Sequence, residues 1–366
     1  MRNAPAWLLA AFLALPSVTS AQAGAPTREP SAPTADQESV LREGIELHDK
    51  GEFDQAIAKY NEVLAKSPGN VTALFELAYS YLAKRDFAQS FATAQKGAEY
   101  TSDLLPMFYD LMASSLDGEG KPEQAIEMYR KGLALAPDAA QLYFNMAVTY
   151  RESLNRPDEA RAALEHAAAL DPMHPGAHLL LGQLLQSSGY PTPAFLALST
   201  FLLLDPGGAQ GLQGYGLWRA VLKGPVAAVP DYVGPDAGMR TNRPTASQKT
   251  DQGDFGAFES QLPASYTAFM RKLDGGTPEI QALVAQVDQL LATLPKTQAG
   301  TTAPSFVTRH YVPFFVALKQ QNFVEPFVYW ASQRAPVPGV VDWLQANEPR
   351  VRAFLGWAAQ YEWPKP

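Results

Sequence analysis

His174 and His178 stand four residues apart, a spacing that puts two imidazoles on one helical face and can hold a metal ion. A third ligand is not evident nearby. His174 precedes Pro175 at a helix start, and His178 falls at a packing position, so a capping and a packing role fit better. His310 is the one histidine of the last hundred residues. Ser305 and Asp342 have the types to complete an acyl-transfer triad with it, but no nucleophile-elbow sequence surrounds the serine. His310 sits on an apolar stripe beside Tyr311, which reads as a buried histidine. Gly118-Glu-Gly-Lys121 imitates the end of a phosphate loop, yet the upstream glycine is missing and Pro122 replaces the hydroxyl residue. Trp330, Trp343, Trp357 and Trp363 offer flat faces for a sugar or peptide; their helical spacing among other apolar residues favours core packing.

Two further fragments also fall short. Gly208-Ala-Gln-Gly-Leu-Gln213 resembles part of a lytic transglycosylase motif, but no Glu-Ser pair closely precedes it, and Glu259-Ser260 lies downstream. Glycosidic cleavage needs a positioned carboxylic acid. Leu294-Pro-Lys-Thr297 is similar to a sortase signal except that Gln298 stands in the glycine position. None of these sets supports catalysis, and neither a cofactor nor a metal is expected.

The elements that carry these residues are repetitive. One pattern of about 34 residues recurs five times between residues 37 and 207. A small residue is followed four later by a bulky one, then by a proline: Ala56, Tyr60, Pro68; Ala125, Tyr129, Pro137; Ala160, Leu164, Pro172; Ala194, Leu198, Pro206. The second copy is worn, keeping Ser90 and Ala94 but losing the proline near Ser102. Upstream in each copy lies a small residue with a bulky one three later: Gly44 and Leu47, Ala78 and Tyr81, Ala113 and Leu116, Ala147 and Tyr150, Gly182 and Leu185. A small residue lets the neighbouring helix approach, and proline ends the second helix of each pair. Two copies hold one extra residue, near Ser102 and near Asn155, both assigned to loops.

This arrangement resembles the tetratricopeptide repeat family over residues 37 to 222. The resemblance implies an all-α fold: a right-handed superhelix of about five helix-turn-helix repeats plus a capping helix. It also implies a non-enzymatic scaffold that binds a protein or peptide along its concave surface. The lining positions, projected onto this chain, are Leu41, Ile45 and His48; Phe75, Tyr79 and Leu82; Asp110, Ser114 and Asp117; Phe144, Val148, Arg151 and Glu152; Leu179, Gln183 and Gln186. They mix apolar and polar character with modest charge, which suits an extended segment or a helix. Ile45, His48, Phe75, Tyr79, Asp110, Ser114, Phe144, Arg151, Glu152 and Gln183 are the core of this expected groove. Only Arg151 among the projected positions is cationic, so the carboxylate-gripping mode of some family members is not expected here.

The remaining segments set the context. Residues 1–23 read as a secretory signal peptide: Arg2, the apolar run Trp7 to Leu15, and Ala21-Gln22-Ala23 as cleavage site. That run is too short to serve as a membrane anchor. The chain has no cysteine, which excludes disulfides, thiolate chemistry and a lipoprotein anchor. Its formal charge is −8, and loss of Arg2 makes it −9, which argues against nucleic-acid binding. These features place the protein in the periplasm or outside the cell, with a partner in the bacterial cell envelope. Residues 24–36 read as a disordered leader, 223–262 as a Pro/Gly-rich linker, and 263–366 as a small helical domain of unrecognised family. An envelope enzyme with its site in that last region is the alternative reading.

Overall fold

The computed structural model describes residues 26–224, 253–295 and 304–365. The signal-peptide segment and most of the linker lie outside them. Every regular element among the described residues is helical. Five helix pairs come first: α1 (Ala35–Asp49) with α2 (Phe53–Lys66), α3 (Val71–Ala83) with α4 (Phe87–Gly97), α5 (Leu105–Gly118) with α6 (Pro122–Leu135), α7 (Ala140–Val148) with α8 (Pro157–Leu170), and α9 (Pro175–Ser187) with α10 (Pro191–Leu204). A single helix, α11 (Gly211–Leu222), covers the edge of the fifth pair, as the capping helix should.

Local chemistry explains the boundaries. Thr34 and Gln37 form a capping box at the start of α1, and Asn70 and His174 cap α3 and α9 through their side chains. Proline opens α6, α8, α9 and α10, where its missing N–H costs nothing. The small residues let each pair close. A Cβ on Gly44 would sit 2.5 Å from the Tyr60 ring, and one on Gly182 would sit 2.7 Å from Leu198. Each turn between paired helices contains one left-handed residue: Gly51, Arg85, Gly120, Asn155 and Gly189.

That residue comes seven after the small residue in four repeats and eight after it in the fourth, counting from Ala147 to Asn155. The extra residue expected in a loop near Asn155 is instead taken up inside the helix. Thr149–Ser153 forms a π-turn, with Leu154 N–H donating to Thr149 and Arg156 N–H to Tyr150. One inserted residue shifts a helix by about 100°, and a π-turn absorbs it without breaking the helix.

The leader is also ordered where it is described. Ser31 N–H donates to Gly69 O at 2.9 Å, Thr101 N–H to Arg28 O at 2.8 Å, and Arg28 pairs with Glu99 at 2.6 Å. The segment before α1 thus lies extended across two inter-repeat loops. Within the stretch read as a disordered leader, Arg28 and Ser31 are joined to these loops by backbone hydrogen bonds and an ion pair, with little apolar surface to bury.

The C-terminal part comprises α12 (Gly256–Glu259), α13 (Leu262–Asp274), α14 (Glu279–Leu291), α15 (Phe306–Gln320), α16 (Val324–Ala331), α17 (Val340–Ala346) and α18 (Glu348–Ala359). It packs on α10, whose residues from Thr192 to Leu203 are all buried. A helix that is apolar on every side must be covered on every side. Here α9 and α11 cover one flank, and α12, α15 and α16 the other. Phe258, from the stretch read as linker, packs against Phe195 at 5.3 Å. Trp330 Nε1–H donates to Leu203 O at 3.0 Å, and Gln286 Nε2–H to Leu222 O at 2.8 Å. Carbonyls that α10 and α11 leave open at their ends are therefore satisfied by the C-terminal helices.

Candidate partner-binding groove

The first helices of successive repeats lie side by side and touch through one or two side chains at each step. His48 of α1 stacks on Tyr79 of α3, ring centres 4.7 Å apart, and its Nδ1 lies 2.7 Å from Ser80 Oγ. Phe75 of α3 meets Tyr79 at 6.3 Å and Phe108 of α5 edge-on at 6.0 Å. Asn145 of α7 donates to both oxygens of Asp110 on α5, at 2.9 and 3.1 Å. Thr149 Oγ1 donates to Asp117 Oδ2 at 3.0 Å. From the π-turn, Arg151 donates to Gln183 of α9 at 2.8 Å and pairs with Glu152 at 3.4 Å.

The ten projected residues are not equally open. Tyr79 is 45% exposed and Glu152 is exposed, while Ile45, His48, Phe75, Ser114, Phe144, Arg151 and Gln183 are half-buried. Asp110 is not a lining residue in that sense, because it is only 8% exposed beneath Asn145. Leu41 and Leu179 also belong to the core, since positions near the helix start are covered by the adjoining helices. Phe144 packs on His174 at 4.5 Å, and Ser114 Oγ lies 3.2 Å from Tyr129 Oη. Asn145, Thr149 and Ser80 were missed. Their polar type at the inner face was the available signal, but each sits one or two residues from a projected position.

Burial sets the electrostatics of this face. It pushes the Asp110 carboxyl up to about 6, with the Asn145 hydrogen bonds opposing. Glu76 is raised by burial and then by nearby Asp49. His48 is lowered by burial, with Asp49 opposing.

The other candidates are used structurally. His174 Nδ1 accepts from Ala177 N–H, while His178 is buried between Tyr311 Oη at 2.7 Å and Pro172 O at 2.9 Å. His310 lies between Phe306 at 4.7 Å and Trp363 at 4.8 Å. Burial pushes His178 down to about 4 and His310 to about 3. Ser305 caps α15. Lys121 pairs with Glu119 on a repeat turn. Trp343 stacks on Tyr329, and Trp357 and Trp363 stack on Phe314. A cleft of about 570 Å³ opens between α14, α15 and α16, but its charged groups are paired, Asp288 with Lys319 and Glu325 with Arg350. His310 and Tyr311 do not line it.

Comparison with known proteins agrees with the fold. Family models described as TPR repeat and tetratricopeptide repeat match residues 44–84 and 118–184. The chain is similar to TTC0263, a thermophilic TPR protein of Thermus thermophilus, at 21% identity and a TM-score of 0.43, over 51% of this chain and 98% of that one. It is similar to MamA at 23% identity and 0.36, over 43% and 92%. It is also similar to YrrB, described as a TPR protein with an unusual peptide-binding site, at 16% identity and 0.35, over 48% and 90%. No curated protein matches the chain.

Proposed function

We propose that this chain, a tetratricopeptide-repeat protein, is a non-enzymatic adaptor of the bacterial cell envelope that holds a segment of a partner protein against the inner face of its array. The observation that carries this reading is the ladder of His48, Tyr79 and Phe75. It presents a half-open aromatic surface, and the C-terminal helices dock elsewhere, on α10 and its neighbours. Exposed aromatic surface rimmed by polar groups is the form of a peptide-binding site. The signal-like residues 1–23 support the envelope location, and a mature chain beginning near Gly24 in the periplasmic fraction would test that part. No helix among the described residues is long and apolar enough to cross a membrane.

The test of the adaptor reading is crosslinking of the full mature protein in cell envelopes, beside a variant with Tyr79→Ala and Phe144→Ala. The partner recovered by the parent should be lost by the variant, with helicity and melting nearly unchanged. Retention of the partner, or collapse of helicity, overturns the groove assignment.

A further inference from the structure

Charge is distributed unequally between the two helices of each repeat. The first helices, α1, α3, α5, α9 and α7 with its π-turn, carry nine carboxylates and two arginines. The second helices carry seven carboxylates and six lysines or arginines, close to balance. The inequality is sharpest in the middle of the array. Helices α3 and α5 contribute Glu76, Asp110 and Asp117 and no basic residue. Asp49, at the end of α1, lies close enough to Glu76 to raise it.

Among the described residues, the carboxylates of α5 have only neutral donors. Asp110 takes the amide of Asn145, and Asp117 takes the hydroxyl of Thr149. Asp117 Oδ1 is buried and has no hydrogen-bond partner among the described residues. Carboxylates taken out of water without a cation cost free energy. Here they persist on α5, the helix whose Phe108 meets Phe75 of α3, itself stacked on the exposed Tyr79.

We infer that the groove selects a cationic partner: an extended protein segment that lays a hydrophobic or aromatic side chain against Phe75 and Tyr79 and brings lysine or arginine to Glu76 and Asp117, with the buried Asp110 adding its field from beneath Asn145. This rests on the groove reading above and adds the chemistry of the occupant. The field of four carboxylates steers such a segment inward and disfavours acidic ones. The single inner-face cation at the far end, Arg151, is engaged by Gln183 and Glu152 and leaves the middle of the array negative.

Three extended twelve-residue peptides of one frame test it on the full mature protein. Each carries one central tryptophan, and the flanking positions hold arginine, glutamine or glutamate. The arginine peptide should bind most tightly, and its affinity should fall about fivefold between about 0.05 and 0.3 M sodium chloride. The variant D49N/E76Q/D117N should weaken it about tenfold and leave the glutamine peptide unchanged. Tyr79→Ala should weaken both. If the triple variant does not melt like the parent, Asp49→Asn and the salt titration of the parent carry the charge test in its place. Equal binding of the three peptides, or no binding of the arginine peptide, overturns the cationic assignment. Sensitivity to Tyr79→Ala without sensitivity to charge leaves the groove standing and removes only its charge preference. Insensitivity to both removes the groove as well.

Discussion

The first two repeats and the last part of the molecule are built from similar helices but hold together differently. Across repeat one and α3 of repeat two, Leu41, Ala56, Tyr60, Val63, Ala73 and Leu77 form a small apolar cluster of their own, and a second small cluster around Phe108 follows. From Ala113 onward one continuous core runs through α10 to Ala358. The front of the array is therefore a stack in which each layer depends on its neighbours, as in other solenoids. The back is closer to a globular domain, with α10 as its central helix. The difference teaches how one set of helical hairpins can stay a thin stack at one end and thicken into a continuous core at the other.

The largest test of this contrast is cavity creation in the two regions. Phe195→Ala removes a fully buried ring that touches Trp218 and Phe258 and should cost about 4 kcal/mol. Hydrogen exchange should then quicken from α6 through α18 together. Tyr60→Ala, also fully buried, should quicken exchange in the first two pairs only. Exchange confined to α9–α11 in the Phe195 variant would show the back to be as divisible as the front.

Acid separates the regions next. His178 is held neutral by burial, down at about 4, and His310 at about 3. An unfolded histidine titrates near 6.5, so this stability is fully present above pH 6.5 and is lost as pH falls through about 4. His178 alone should withdraw about 3 kcal/mol. Groups facing the pair are Tyr311 on the same helix as His310, His174 and Asp171 before α9, and Glu165 near Tyr311. Melting followed by exchange at pH 4 should show α15 and the Trp363 tail loosening before repeats one and two. Simultaneous loosening would contradict the division.

The smallest effect has the opposite sign. Asp110 is raised to about 6, so its contribution is present below pH 4 and lost as pH rises through about 6. Asp110→Asn keeps the shape and should stabilise the protein by about 2 kcal/mol at pH 8, with no gain at pH 4. Melting curves at the two pH values measure it. A gain in stability together with weaker binding of an arginine peptide would mark Asp110 as retained for function at the expense of the fold.

The repeats were legible because spacing carries them. A small residue at fixed distance from a bulky one is a packing rule written in one dimension, and Gly44 against Tyr60 realises it directly. The position of the π-turn was not legible. Counting revealed one surplus residue near Asn155, but whether a helix or a loop absorbs it depends on hydrogen bonds that spacing does not encode. The docking of the C-terminal helices was half legible. The run Phe195 to Leu204 is largely apolar on all faces and so demands cover, yet nothing in it names Phe258 as part of the cover. For the projected groove positions, helical register says which residues share a face of the first helices, and burial does not follow from register. Asp110 reached inward to Asn145, while Tyr79 stayed in the open.

The all-round burial of α10 also bears on the order in which the protein can be made. Repeats one and two close contacts between residues near in sequence and can fold as they emerge. The contacts of α10 with Phe258, of Trp218 on α11 with Phe327, and of His178 with Tyr311 133 residues away must wait for the later helices of the chain. Until then a helix of leucine and phenylalanine has one flank uncovered. In a growing chain that interval is the time of greatest exposure to aggregation, and therefore to chaperones.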